Sequence, residues 1–266
     1  MIPYSDRLRV ALLPLDIKWA EKETNLAAVA RAFEHLPEST DIVVLPELFS
    51  TGYADDIDAM QALAERNTQS TIDFIKNLAN KYTVAIAGSF LASTPPKIYN
   101  RGFFIEPSGE ETYYDKRHLF SVSAESHILA PGDRRMPSVR FRGWNISMIV
   151  CYDLRFPVWC RARRNEYDLL LVPANWPQAR GYAFEHLLIA RAIENQCYVA
   201  GANRGGQDTY GLYDGLTQIY DYRGMPIGNS DGNSPFVTAD LSRHNIDDFR
   251  TKFPVADDAD DFNLLQ

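Results

Sequence analysis

Cysteine is scarce in this chain. Three stand among 266 residues, at Cys151, Cys160 and Cys197. An odd count this low excludes a disulfide framework and fits a reducing compartment. Long apolar runs are missing as well: no stretch reaches the roughly 18 residues of a membrane-spanning helix. The N-terminus has no basic segment followed by an apolar run and a small-residue cleavage site, so it does not read as a secretory signal. The expectation is a cytoplasmic protein that does not engage membranes. Nor is there an excess of basic residues, since 27 Lys and Arg stand against 35 Asp and Glu, a formal net charge of −8. That balance argues against a non-specific nucleic-acid binder. Pro/Gly/Ser linkers, low-complexity tracts and fixed-period repeats are absent, which leaves one domain over residues 1–266. The run Asp257-Asp258-Ala259-Asp260-Asp261 marks residues 255–266 as a solvated C-terminal tail.

What the sequence does contain is an ordinary globular composition, 45% hydrophobic and 23% charged. A chain this long can bury a large core without cross-links. Short apolar runs predict strands at residues 9–15, 41–45, 83–90, 102–105, 112–115, 146–150, 169–173, 198–202, 217–222 and 235–239. Several are apolar throughout, which suits strands covered on both faces. Apolar residues spaced by three or four predict helices over residues 25–36, 71–82 and 184–196. The pair Gly205-Gly206 reads as a turn, because no helix with a Lys-Ser/Thr follows to make a phosphate loop.

Three polar residues stand where apolar strands end. Ile42-Val43-Val44-Leu45-Pro46 runs into Glu47, Thr112-Tyr113-Tyr114-Asp115 into Lys116, and Ile146-Ser147-Met148-Ile149-Val150 into Cys151. Ligands in α/β sheets bind beyond the carboxyl ends of the strands. If those strands are neighbours in one sheet, a carboxylate, an ammonium and a thiol meet at one mouth. A carboxylate can take the thiol proton, the thiolate being the nucleophilic form, and an ammonium can hold an oxyanion. By themselves the same residues also suit an inert core cysteine and a structural Glu47–Lys116 ion pair. Gly228-Asn229-Ser230-Asp231-Gly232 matches the serine-hydrolase pattern, but polar turn residues and Pro235 follow it instead of a helix.

The words around these residues are specific. Pro46-Glu47-Leu48-Phe49-Ser50-Thr51-Gly52-Tyr53, Tyr114-Asp115-Lys116-Arg117-His118-Leu119-Phe120 and Cys151-Tyr152-Asp153-Leu154-Arg155-Phe156-Pro157 resemble the glutamate, lysine and nucleophile motifs of the nitrilase superfamily of carbon–nitrogen hydrolases, in the family's order. The likeness continues through Ala174-Asn175-Trp176-Pro177 and covers nearly the whole chain. Glu125, ahead of Pro131-Gly132, matches the family's second glutamate.

This resemblance implies a four-layer α-β-β-α sandwich in a single domain, paired into a homodimer or higher oligomer. It implies amide hydrolysis through a Cys151 thioester, with Glu47 as the shared base. Lys116 and the Tyr152 N–H would be the oxyanion donors, and Glu125 would orient Lys116. No organic cofactor is implied, and the Cys and His positions show no paired metal-ligand spacing. Val150–Trp159 and Tyr198–Arg204 look like the bacterial omega-amidase branch, which acts on short dicarboxylic monoamides such as 2-oxoglutaramate and succinamate. Other specificities within the superfamily stay open: deaminated glutathione, N-carbamoyl amino acids, aliphatic amides and nitriles. A carboxylate at the far end of such a substrate calls for a cation. Arg155 is one candidate, with an ion pair to Asp153 or another buried acid as its alternative employment. Arg117 and His118 could line the pocket or fix the loop. Tyr53 and Trp176 could wall a small pocket, and Asn175 could hydrogen-bond near the strand end.

Overall fold

The computed structural model describes residues 6–230, 232 and 234–264. Its strands are β1 (Arg7–Leu12), β2 (Ile42–Val44), β3 (Ala85–Thr94), β4 (Lys97–Ile105), β5 (Glu111–Asp115), β6 (Val139–Phe141), β7 (Trp144–Met148), β8 (Leu169–Ala174), β9 (Tyr198–Asn203), β10 (Gly205–Asp208), β11 (Gly211–Asp214), β12 (Gln218–Tyr220) and β13 (Val237–Ser242). The α-helices are α1 (Lys22–Phe33), α2 (Ile57–Leu63), α3 (Ser70–Tyr82), α4 (Glu125–Ile128), α5 (Pro157–Cys160), α6 (Gly181–Asn195) and α7 (Arg243–Lys252). Strands order as β13-β1-β2-β3-β4-β5 in one sheet and β12-β9-β8-β7-β6 in a second, with β10-β11 as a separate ribbon.

Period-two alternation sorts the layers. Val10, Leu12, Ile42, Val44, Ala85 and Ala87 face inward, in one cluster with Ile146, Met148 and Leu171 of the second sheet. Their neighbours Ala11, Val43 and Ile86 face outward, against Leu26, Val29 and Phe33 of α1 and Ile72 and Ile75 of α3. On the opposite side Phe184, Leu188 and Ala192 of α6 cover the second sheet. The result is helix, sheet, sheet, helix, as expected.

The sequence expectation has no counterpart for β6, β10, β11, α2, α4, α5 and α7, and two of its own readings change. Gly205-Gly206 is not a turn: it opens β10, which pairs antiparallel with β11. The glycines serve a close approach there. Gly206 has φ +84, and a Cβ on it would lie 1.8 Å from Asp16 Oδ1. The strand predicted at 102–105 begins at Lys97, because Lys97, Tyr99 and Arg101 are its outward half and hide the apolar signal. The tail is exposed at its four aspartates. It is nonetheless anchored, with Arg163 stacked 4.6 Å over the Phe262 ring and Leu264 packed on the core. Residues 265 and 266 of that tail lie outside the described residues.

Helix α7 escapes the apolar pattern because charge fixes it. Fully buried Asp168 accepts from Arg250 Nη1 at 2.7 Å and from the Asn145 N–H at 2.9 Å, and it also pairs with Arg243. Removing one member of such a pair strands the other. Asp168→Ala is therefore expected to cost about 3–5 kcal/mol in urea unfolding. A loss below about 1 kcal/mol, the range of an exposed pair, would contradict this reading.

Candidate active site

The loop after β2 turns sharply at Leu48, which has φ +49. Buried Ser89 catches that turn: its Oγ accepts from the Leu48 N–H at 2.9 Å and its carbonyl from the Phe49 N–H at 3.2 Å. Glu47 is thereby pointed back over the sheet. Lys116, just past β5, donates its N–H to the Asn100 carbonyl at 2.9 Å and accepts from the Gly132 N–H at 2.9 Å. A Cβ at residue 132 would fall 1.9 Å from the Asp115 carbonyl oxygen, so only glycine lets this turn close on the lysine.

Cys151 begins a 3-10 turn, Cys151–Arg155, with φ +46. A left-handed conformation at a non-glycine residue costs about 1–3 kcal/mol and persists only where its surroundings hold it. Asp153 is the brace. Its carboxylate accepts from the Val150 N–H (3.2 Å), the Tyr114 hydroxyl (2.7 Å) and the His118 N–H (2.9 Å), and it pairs with His118 Nδ1 (2.8 Å). The lysine loop and the cysteine turn are thus tied to one buried acid.

The single-sheet arrangement of the three strand ends is corrected here. β2 and β5 belong to the six-stranded sheet and are separated by β3 and β4, whereas β7 belongs to the five-stranded sheet. The three groups still meet, because the two sheets pack face to face and their ends open on one cavity. Lys116 Nζ lies 2.8 Å from Glu47 Oε1 and 2.7 Å from Glu125 Oε1. Asn100 Nδ2 donates to Glu47 Oε1 at 2.7 Å, and the Asn175 N–H to Glu47 Oε2 at 2.9 Å. Glu125 Oε2 accepts from the Phe120 N–H at 2.6 Å. The Tyr152 N–H falls in the first turn after Cys151, where a helix leaves N–H groups without an intrahelical acceptor.

Charge in this pocket follows from burial. Burial pushes the Cys151 thiol well above its ordinary range; the Glu47 charge adds to the effect and Lys116 offsets it only in part. The thiol at rest is therefore protonated, and attack needs a base. Burial disfavours the Lys116 ammonium, but Glu125 and Glu47 outweigh it and hold the group well above the usual lysine range. Burial also raises Glu125, against the pull of Lys116.

The cavity measures about 280 Å³, and Glu47, Lys116, Glu125 and Cys151 all line it. Tyr53, Tyr152, Arg155, Asn175 and Trp176 line it too. The Tyr53 hydroxyl bonds Asp55, and Trp176 is held by its N–H to Asn203 Oδ1 at 2.8 Å. Arg155 does not pair with Asp153, whose oxygens are occupied by the partners above. Its guanidinium sits 4.7 Å from the Trp176 ring centroid, and no carboxylate pairs with it among the described residues. Arg117 and His118 fix the loop: Arg117 donates to the Gly132 carbonyl at 2.9 Å, and His118 stacks on Phe156 at 3.7 Å. Ser230 is exposed in a loop outside strand and helix, and Asp231 of its motif lies outside the described residues. Among the described residues no group of three His, Cys, Asp or Glu could hold a metal.

Sequence reasoning missed Ser89, Asn100 and Arg180. Asn100 carried a usable signal, a polar residue on the inward face of a strand with Ile98 and Gly102. Arg180 lines the cavity, with its guanidinium 5.1 Å from the Phe120 ring. No comparable signal marked it.

Comparison with known proteins bears on family and fold. Residues 9–251 match the sequence profile of the carbon-nitrogen hydrolase family. The chain is 41% identical to "Omega-amidase YafV" of Yersinia enterocolitica, over 97% of this chain and 99% of that protein. It is 31% identical to "2-oxoglutaramate amidase" of Bacillus subtilis, over 94% and 96%. Among solved structures, a CN-hydrolase superfamily protein of Xanthomonas campestris, crystallised with an arsenic adduct in its active site, superposes with a TM-score of 0.91 at 37% identity, covering 98% of this chain and 100% of that one.

Proposed function

The chain belongs to the carbon–nitrogen hydrolase family, and we propose that it is an amidase releasing ammonia from the terminal amide of short dicarboxylic monoamides such as 2-oxoglutaramate or succinamate. One observation carries this reading: a cavity with a buried carboxylate, ammonium and thiol also holds the Arg155 guanidinium, which no acid pairs with among the described residues. The names of the two amidase relatives support the substrate class.

Glu47 takes the thiol proton as sulfur attacks the amide carbon. The C–S bond forms, and the carbonyl electron pair moves onto oxygen between the Lys116 ammonium and the Tyr152 N–H. As the carbonyl re-forms, the C–N bond breaks, and the proton on Glu47 goes to the departing ammonia. Water then gives a proton to Glu47 and attacks the thioester. The C–S bond breaks, and sulfur recovers that proton. Covalent catalysis divides one difficult displacement into two easier ones. Each oxyanion donor is worth about 2.7–4 kcal/mol in reactions of this kind. Glu125 keeps Lys116 placed and charged throughout.

Arg155 binds the far carboxylate, with Tyr53 and Trp176 as pocket walls and Asn175 beside Glu47. A charge-assisted hydrogen bond contributes about 1.5–3 kcal/mol. Arg155→Leu should therefore raise KM for succinamate at least about tenfold and leave the uncharged analogue butyramide nearly unchanged. An equal effect on both amides, in an ammonia-release assay, would remove the carboxylate from the argument. Carbamoyl amino acids and nitriles belong in the same panel, because a methylene or two in a pocket is worth only about 1–3 kcal/mol.

Three free cysteines suit a cytoplasmic setting. The exposed Tyr182, Ile193 and Met225 around α6 are surface that a homodimer would cover.

A further inference from the structure

Glu47 and Lys116 leave the six-stranded sheet at strands separated by two others, so something must hold their heads in register. The residue between them is Asn100, on β4. Its side chain and its backbone reach the two groups separately: Nδ2 donates to Glu47 Oε1 at 2.7 Å, and its carbonyl accepts from the Lys116 N–H at 2.9 Å. Glu47 Oε1 therefore has two donors, Lys116 Nζ and Asn100 Nδ2. A carboxylate oxygen held by two fixed donors has little freedom to rotate, and this fixes the direction of the remaining lone pairs toward the cavity.

A second observation sets Asn100 apart from ordinary core. The residue is fully buried, yet its Oδ1 has no hydrogen-bond partner. Leaving a buried acceptor unmade costs about 1–3 kcal/mol. Leucine has nearly the same shape and would avoid that cost. An amide kept despite that cost points to a task, and among the described residues the group its Nδ2 bonds is Glu47.

We propose that Asn100 is a positioning residue that aims the Glu47 carboxylate at the Cys151 thiol. It does not line the cavity, so it acts through Glu47 and not on substrate. The inference rests on the acid–base role given to Glu47 above.

Asn100→Leu tests it. The variant should melt near the wild-type temperature, because removing the orphaned acceptor offsets the lost bond to Glu47. Its kcat should fall about tenfold, a fraction of the roughly 10²–10⁴ that a positioned general base supplies, with KM within about twofold. The acid limb of its pH profile should move to higher pH, since Glu47 has lost a donor to its ionised form. Iodoacetamide alkylation of Cys151, followed by peptide mass, reads the same Glu47–thiol couple without any amide substrate and should slow in parallel. Unchanged kcat, pH profile and alkylation rate would overturn the proposal. Should the leucine variant not fold, Asn100→Asp supplies the test. Its carboxyl donates to Glu47 only when protonated, so alkylation should approach the wild-type rate at low pH and fall behind as pH rises. A profile parallel to the wild type overturns the proposal equally. If the wild type alkylates at Cys151 but hydrolyses no amide, the substrate reading fails, and the Asn100 inference is still decided by the alkylation rates.

Discussion

Cys151→Ala should abolish ammonia release, by at least about 10⁴-fold, the order of loss seen when a covalent nucleophile is deleted. Its melting temperature should barely move. The thiol is 7% exposed, and alanine at φ +46 carries the same backbone cost that cysteine already carries. The fold around it is held by Asp153, which the substitution leaves in place. Incubation of the wild type with succinamate followed by rapid acid quench should give a succinyl adduct on Cys151, and the variant should give none. Turnover retained in the variant, or an adduct at Cys160 or Cys197, would refute the nucleophile assignment. Those two thiols are poor rivals. Burial pushes both up as it does Cys151, but Cys160 Sγ donates to the Asp153 carbonyl and Cys197 Sγ to the Arg191 carbonyl, whereas the Cys151 thiol bonds the Glu47 carboxylate.

Glu47→Gln carries the second large effect. Among the described residues the groups bonded to the Glu47 carboxylate are all donors: Lys116 Nζ, Asn100 Nδ2, the Asn175 N–H and the Cys151 thiol. An amide cannot accept from both sides, because one end is itself a donor. Glutamine therefore loses the base and also turns an N–H₂ toward an N–H partner. Since burial keeps the thiol protonated, attack depends on the carboxylate that hydrogen-bonds it, and that carboxylate is Glu47. The expected loss in kcat/KM is about 10²–10⁴-fold, and acylation should be slowed along with deacylation. Rapid build-up of thioester in this variant would show that acylation proceeds without Glu47, and the single shared base would have to be given up. Unimpaired alkylation of Cys151 in the same variant would say so independently of substrate.

The contrast between these two residues and Arg155 shows where reading the chain is strong. Glu47, Lys116 and Cys151 stand out because each follows an apolar strand, and the family-like motifs around them favour a site over an inert thiol and a structural ion pair. Glu125 is legible only through resemblance, since a loop carboxylate ahead of a Pro-Gly turn has no signal of its own. Arg155 is harder still. Nothing local distinguishes a pair with Asp153 from a vacant guanidinium. The answer depends on Tyr114 and His118, 41 and 37 positions earlier, occupying that acid first. Asn100 is marked only by being polar on the inward face of β4 beside Ile98 and Gly102, a signal that appears once the strand is known to begin at Lys97.

Local order accounts for the described strands other than β6, β10 and β11, for the amphipathic helices α1, α3 and α6 and for the three strand-end groups, because apolar period and the chemistry of single residues are properties of short segments. The sequence by itself determined those. Only the tertiary structure decided that the ends come from two facing sheets instead of one, that α7 is fixed by a buried aspartate, and that Arg155 keeps its charge open to the cavity. Each of those outcomes turns on which distant groups reach a partner first, and burial, not sequence neighbourhood, sets that competition.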